Sequence, residues 1–180
     1  MTFLFTDIEG STRLLRRIGD RYAGVLNLAY GYSDTFPHYL NITHAEAPNL
    51  EWDVDLLLQK QRAGAGYAVT QLFYDNEVYL RYVKAARDHG VTIPIIPGLK
   101  ILTRREQLSI VPRNFQVDVP NALVDEVMSV PPEAAVERGI AWAARQTLQL
   151  FEAGVPSVHF YVMQNTTPFV TMMEQLTPQL

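Results

Sequence analysis

GYAVTQLFYD, residues 66–75, predicts a buried strand that presents one polar side chain, Gln71, from an otherwise apolar run. Such a run suits a strand covered on both faces, as in parallel sheets. Asp75 and Asn76 can cap the helix that follows. A polar amide at the C-terminal end of a parallel strand lies where α/β barrels place their ligand contacts. Gln71 is therefore a candidate ligand contact, and the alternative is that its amide hydrogen-bonds a neighbouring loop.

Outward from this strand, the sequence after residue 46 predicts strands that alternate with helices, which argues for a parallel α/β sheet with right-handed crossovers. A complete eight-stranded barrel needs about 250 residues, more than the 180 residues of this chain. The predicted strands are 67–73, 92–98 and 157–163, and prolines at 94 and 97 suit the ends of the second. The predicted helices are 50–61 closed by Gly64, 76–89 closed by Gly90, a short one near 104–109, one from a capping Asn121 through Met128, and 132–153 closed by Gly154.

The opening of the chain predicts a strand at residues 3–5, then a turn and the N-terminus of a helix. Asp7 follows the strand directly. A carboxylate in that position, beside a helix N-terminus, can bind a cation with a phosphate nearby. The alternative is a solvated turn.

Composition excludes several classes of function. The net charge of -4 argues against a nucleic-acid partner. The chain has no cysteine, which excludes disulfides, Cys-ligated zinc, Fe–S clusters and thiol catalysis. No apolar run reaches the length of a membrane span, and the N-terminus lacks the pattern of a signal peptide. We therefore expect a cytoplasmic protein with no membrane partner.

The stretch MTFLFTDIEGSTRLLRRIGDRYAGVL, residues 1–26, resembles the start of class III adenylate/guanylate cyclase domains. In that family, the aspartate corresponding to Asp7 is one of two that hold metal ions. No second aspartate in a GDG-like context follows, and two metals need two carboxylate bridges. We therefore treat 1–26 as a cyclase-like leader and 27–43 as a join to the next segment. A nucleotide cyclase-related protein stays open as an alternative function, without an expectation of cyclase activity.

Five segments after residue 44 resemble the C-terminal half of methylenetetrahydrofolate reductase: EAPNLEWD, GYAVTQLFYDNEVY, VTIPIIPGLKILT, PRNFQVDVPNALV and GVPSVHFYVMQN. That family is a flavin-containing (β/α)8 barrel that passes hydride from NADH or NADPH to FAD and then to methylenetetrahydrofolate. The resemblance implies that residues 44–180 form a partial (β/α)8 TIM-type barrel, about strands five to eight, after an N-terminal β-turn-α leader. It also implies FAD as cofactor and a folate as substrate.

The resemblance implies a role for five residues. Gln71 and Gln107 match glutamines that contact the substrate, where an amide both donates and accepts hydrogen bonds. His44, Asp53 and Lys60 match positions that line the flavin site. Asp53 and Lys60 lie seven residues apart, about two helical turns, so they share one face. Lys60 can meet an FAD phosphate and Asp53 a ribose or adenine group, and the alternative for this pair is a solvated helix face.

Other positions depart from the family pattern. Asn165 stands where some members have a substrate-binding Arg. Of the family's Tyr-Pro-Glu-x-His segment, this chain has only the histidine, His44. The family's catalytic Glu and the Asp beside the flavin N1 belong to its first four strands, to which the resemblance does not extend. Because general acid catalysis needs a positioned proton donor, we expect little or no reductase activity from the chain alone.

A half barrel exposes two strand edges and an apolar inner surface, so we expect the chain to self-associate. A non-catalytic α/β binding or assembly module is the remaining alternative function.

Overall fold

The computed structural model describes residues 2–4, 50–115, 117–162 and 165–177, without the side chains of residues 2–4, 52 and 56. The predictions for Asp7, for His44, for the helix of the leader and for the join at 27–43 lie outside the described residues. In chain order, the elements are β1 (Thr2–Leu4), α1 (Leu50–Arg62), β2 (Ala68–Leu72), α2 (Asn76–Asp88), β3 (Ile95–Leu99), α3 (Gln107–Phe115), α4 (Asn121–Met128), a 3-10 turn (Pro132–Ala134), α5 (Ala135–Glu152), β4 (Ser157–Phe160) and α6 (Thr167–Leu176).

The four described strands form one parallel sheet in the order β1-β4-β3-β2. Thr2 lies opposite Ser157, so the first described strand of the chain is a neighbour of the last. On its other side β4 pairs with β3, where Gly98 lies opposite His159. The predicted parallel α/β architecture is confirmed.

Two apolar cores hold the described elements together. The larger core packs α1, α2, α5 and α6 against the sheet, and the smaller one joins α3, α4 and α5 to the C-terminal ends of the strands. Each fully buried Leu, Val or Phe contributes roughly 1.5–3 kcal/mol. Members of the larger core include Val54, Leu57, Tyr82, Leu150, Val158, Phe160, Met172 and Leu176, and members of the smaller one include Leu72, Tyr74, Leu102, Val111, Leu123 and Val127. None of the described helices is both long and apolar enough to cross a membrane.

Several helix ends lie where the sequence predicts them. Asp75 caps α2, because its carboxylate accepts a hydrogen bond from the N–H of Glu77 at 2.9 Å. Helices α1, α2 and α5 are followed by Gly64, Gly90 and Gly154, whose φ angles are 103°, 89° and 83°. Such angles strain any residue with a Cβ, so glycine ends these helices.

Two predictions near α4 and β4 are wrong. Asn121 does not cap α4; it is the first helical residue, and Pro120 occupies the N-cap position with φ -57° and ψ 139°. The predicted strand at 157–163 ends at Phe160, and the chain then forms α6, which the sequence analysis did not predict. The available signal was Pro168 in the first turn of α6, a position that proline favours in helices.

The position of Pro97 is also a correction, because it lies inside β3 rather than at its end. Strand β3 lies between β2 and β4, where a proline removes a hydrogen bond from the ladder. The register of β2 against β3 shifts between Val69 and Leu72. Beside the proline, the N–H of Gly98 donates to the side-chain hydroxyl of Thr70 at 2.7 Å. A side chain therefore supplies the acceptor where the ladder is interrupted.

Candidate functional site

A cavity of about 130 Å³ opens at the C-terminal edge of β3 and β4. One water needs only about 15 Å³, so a ligand group can enter. Parallel α/β proteins bind their ligands at this edge of the sheet. The walls are Lys100, Ile101 and Thr103 after β3, Gln107 in α3, Phe160, Tyr161 and Val162 at the end of β4, and Asn165, Pro168 and Phe169 at the start of α6.

Two amide side chains are among the walls of this cavity. The Oε1 atom of Gln107 accepts from the backbone N–H and the hydroxyl of Thr103, at 2.7 and 3.2 Å. The Oδ1 atom of Asn165 accepts from the N–H of Thr167 at 3.0 Å. Each amide oxygen therefore faces a donor of the chain, which leaves the NH2 group to donate elsewhere. Among the described residues, neither NH2 group meets an acceptor.

Lys100 is a wall residue that the sequence analysis missed. It follows β3 directly, so it lies at the same edge of the sheet as Gln107. Its side chain is half-buried, and burial lowers the pKa of its ammonium group. Of the described cavity walls, Lys100 alone is charged. The signal in the sequence was a lysine placed immediately after the apolar run IIPGL, residues 95–99.

Gln71 is the one residue of β2 that is not fully buried, as predicted for a polar side chain in an apolar strand. Its Oε1 atom accepts from the N–H of the adjacent Leu72 at 3.0 Å, rather than from a neighbouring loop. Gln71 is not among the walls of the cavity that Gln107 lines. The structure therefore does not bring these two predicted contacts into one cavity.

Tyr161 is a wall of the cavity whose side chain also hydrogen-bonds to β2. Its hydroxyl donates to the carbonyl of Thr70 at 2.8 Å, across β3. A Cβ at Gly98 would approach the Tyr161 ring to 2.7 Å and would collide with the carbonyl of Thr70. Glycine at 98 therefore lets the ring lie against the sheet. The ring of buried His159 meets Tyr161 edge-on, with centroids 4.6 Å apart, and burial lowers the pKa of this histidine.

Asp53 lies in the first turn of α1 and is not among the walls of the cavity. Its side chain is 0% exposed, so the alternative of a solvated helix face is wrong for this residue. Neither carboxylate oxygen has a hydrogen-bond partner among the described residues. Burial raises the pKa of Asp53 from 3.8 to about 7. Lys60, near the other end of α1, is half-buried.

A buried carboxyl without a partner is costly, and a ligand that donates hydrogen bonds would relieve that cost. Because the side chain of Asp53 is 0% exposed, its two carboxylate oxygens are not open to solvent in this structure. In the described part of the chain, no group of three His, Cys, Asp or Glu side chains is arranged to hold a metal ion.

Comparison with known proteins identifies one family. The family model of methylenetetrahydrofolate reductase matches residues 11–177, a range that begins well before residue 44. The chain is 29% identical to a probable methylenetetrahydrofolate reductase (NADPH) of Caenorhabditis elegans over 123 residues, which are 67% of this chain and 19% of that protein. It is 25% identical to methylenetetrahydrofolate reductase (NADH) 1 of Arabidopsis thaliana over 167 residues, which are 88% of this chain and 28% of that protein.

Bacterial proteins give a similar result. The chain is 31% identical to 5,10-methylenetetrahydrofolate reductase of Pectobacterium carotovorum over 122 residues, which are 67% of this chain and 41% of that protein. The chain thus spans between about a fifth and two fifths of the relatives it matches. Among solved structures, a Clostridium thermocellum protein that binds two copies of 5-methyl-5,6,7,8-tetrahydrofolic acid aligns with a TM-score of 0.48 and 14% identity, over 71% of this chain and 49% of that one.

Proposed function

Since the chain belongs to the methylenetetrahydrofolate reductase family, we propose that it builds part of a flavin-dependent reductase site, with a folate as its substrate. The observation that carries this proposal is the cavity at the C-terminal edge of the parallel sheet, which Gln107 lines. In α/β barrels that edge holds the catalytic and binding groups. Gln71 is the second proposed folate contact. It lies near the C-terminal end of β2, the strand that pairs with β3.

The proposed architecture is a partial (β/α)8 barrel. Its support is the pairing of the first described strand with the last, in parallel, because a closed barrel requires its first and last strands to be neighbours. The order β1-β4-β3-β2 gives a continuous arc of such a ring. The helices α1, α2, α5 and α6 cover one face of the sheet, as the outer ring of a barrel does.

Asp53 and Lys60 are the proposed contacts to FAD. Both carboxylate oxygens of Asp53 lack a partner among the described residues, and such acceptors suit ribose hydroxyls, which are donors. Lys60 shares the helix and carries the charge that a phosphate needs. When bound, FAD would supply hydride transfer between a nicotinamide (NADH or NADPH) and the folate. The contribution of this chain is to bind and orient these groups.

We propose that the chain has little or no reductase activity by itself. General acid catalysis requires a proton donor within hydrogen-bond reach of the substrate. The described walls of the cavity contain no carboxyl group and no histidine. Lys100 is the single titratable group there besides the phenol of Tyr161, whose proton is committed to the Thr70 carbonyl.

The test is flavin retention. The purified chain is incubated with FAD and desalted, and its visible absorption is recorded; we expect the flavin bands to persist. Asp53→Asn should lower FAD retention about tenfold or more, because a charge-assisted hydrogen bond is lost. Asp55→Asn, at an exposed position of the same helix, is the control and should retain FAD like the wild type.

A colourless protein after desalting would contradict the cofactor proposal. NADH oxidation with methylenetetrahydrofolate is then measured on the flavin-loaded chain. Turnover at the rate of a typical reductase would contradict the proposed lack of activity.

A further inference from the structure

A second cavity, of about 630 Å³, lies between the start of α2 and the C-terminal half of α5. It shares no wall residue with the cavity at the C-terminal edge of β3 and β4. None of the residues proposed to contact flavin or folate is among its walls. Its volume is in the range of pockets that hold small organic molecules, so a ligand of its own can enter it.

Acidic side chains outnumber basic ones in the walls of this second cavity. Asp75 and Glu77 lie at the start of α2, and Glu152 is the last residue of α5, so both helices contribute carboxylates. Arg145 is the basic wall residue, and its guanidinium is paired with Glu126 of α4 at 2.7 Å. Of the described residues, none forms an ion pair with Glu77 or Glu152. The walls therefore carry an excess of negative charge that an organic cation would balance.

The side-chain amide of Gln146 is an independent indication of a ligand. Gln146 is a wall of the cavity and is only 4% exposed. Its Nε2 atom donates to Oδ1 of Asn76 at 3.2 Å, which orients the amide. Its Oε1 atom has no hydrogen-bond partner in the part of the chain that the structure describes. Because a buried acceptor without a partner is costly, a ligand that donates a hydrogen bond would stabilise this amide.

Apolar groups form other parts of the wall. Leu80, Pro120 and Trp142 are among them. The indole N–H of Trp142 donates to the carbonyl of Tyr74 at 3.1 Å, so the ring offers the cavity apolar surface rather than a free donor. A methylene chain gains free energy by packing against such groups. The walls thus combine acceptors for a cation with apolar surface for an aliphatic chain.

We propose that this second cavity binds an aliphatic diamine or polyamine cation. One ammonium group binds Glu77 and another binds Glu152, which belong to different helices, and an N–H of the ligand donates to Oε1 of Gln146. An ammonium group has three donors and no acceptor, which matches these carboxylates and the amide oxygen. The inference goes beyond the proposed function and does not depend on it, because it uses none of the residues assigned to flavin or folate.

The experiment measures dissociation constants of putrescine, spermidine and butylamine on the full chain by calorimetry. Putrescine and butylamine have the same four-carbon chain, but butylamine has one ammonium group. We expect both polyamines to bind. Butylamine should bind about three- to fivefold more weakly than putrescine, because it leaves one carboxylate without a cation.

Variants locate the site. Glu152→Gln should weaken spermidine binding about three- to fivefold, and combining it with Glu77→Gln should weaken it about tenfold or more, since each removes one ion pair at an exposed position. Gln146→Met should also weaken binding, because the amide acceptor is lost. The control is Glu137→Gln, an exposed glutamate of α5 that is not a wall of the cavity, and it should bind spermidine like the wild type. Thermal unfolding of each variant without ligand verifies that the fold is kept.

The outcomes separate this inference from the proposed function. Failure of both polyamines to bind, or equal binding by the wild type and the double variant, overturns the inference even if FAD is retained. An equal loss in Glu137→Gln and in Glu152→Gln also overturns it, because the cations would then associate with the acidic surface in general. Spermidine binding that depends on Glu77 and Glu152 supports the inference even if the protein is colourless, in which case the flavin proposal alone fails.

Discussion

Asp53 illustrates how one buried residue couples folding to pH. With a folded-state pKa of about 7 against 3.8 for the exposed group, the folded chain holds a proton that the unfolded chain has released between these two values. Stability therefore falls as the pH rises through this window. The lost stability returns only if the carboxylate gains a donor, which is what a bound ligand would provide.

We expect Asp53→Asn to flatten this dependence. Asparagine has nearly the same shape and carries no charge, so it imposes no ionisation cost at high pH. Between pH 5.5 and 7 the wild type should lose about 2 kcal/mol of unfolding free energy that the variant keeps. Urea unfolding at several pH values measures the difference, with Asp55→Asn as the exposed control. If the free energy of unfolding changes with pH equally in the wild type and in Asp53→Asn, Asp53 is ionised and paired in the folded chain.

At this scale, the sequence could predict residue types better than residue environments. Gln107 was expected at a ligand site and does line the cavity. Helical spacing placed Asp53 and Lys60 on one face, but no periodicity could show that Asp53 is fully buried without a described partner. Lys100 was missed because its place in the cavity wall beside Gln107 is a property of the fold rather than of the adjacent sequence.

At the scale of elements, the junction of β2 and β3 depends on Thr70. This residue is fully buried, its hydroxyl donates to the carbonyl of Gln71 at 2.8 Å, and it accepts from the N–H of Gly98 at 2.7 Å. The hydroxyl thus satisfies a backbone donor beside Pro97. The sequence predicted both strands but placed Pro97 at a strand end. Proline is generally confined to strand ends and edges, and the pattern of the sequence did not show that a side chain would supply the acceptor for the next N–H.

Thr70→Val should therefore destabilise the sheet by about 1–3 kcal/mol. Valine keeps the shape and the strand propensity of threonine, and the loss reflects the buried N–H of Gly98 left without its acceptor. Thr166→Val is the matched control, since Thr166 is exposed and makes no side-chain capping bond at α6. Equal urea midpoints for the two variants would show that Gly98 finds another acceptor at no cost.

At the scale of the whole molecule, the four described strands are half the number that an eight-stranded barrel needs. Strands β1 and β2 form its two edges, and no other described strand pairs with their outer sides. An open edge is a template for pairing with another chain. All pairings are parallel, so β2 of one copy can continue into β1 of a second copy with the same strand direction. Two copies related by a two-fold axis then supply the eight strands that close a barrel.

We therefore expect the purified chain to be a dimer, with twice the mass of one chain by light scattering coupled to size exclusion. Association through exposed apolar side chains on α3 and α4 is the competing route, because Phe115 and Met128 are 37% and 54% exposed. The variants Phe115→Glu and Met128→Lys discriminate between the two. Pairing through the edges leaves both variants dimeric, since these side chains lie on helices rather than on β1 or β2. A monomer across the accessible concentrations would contradict edge pairing, and dissociation by either substitution would locate the contact on the helices instead.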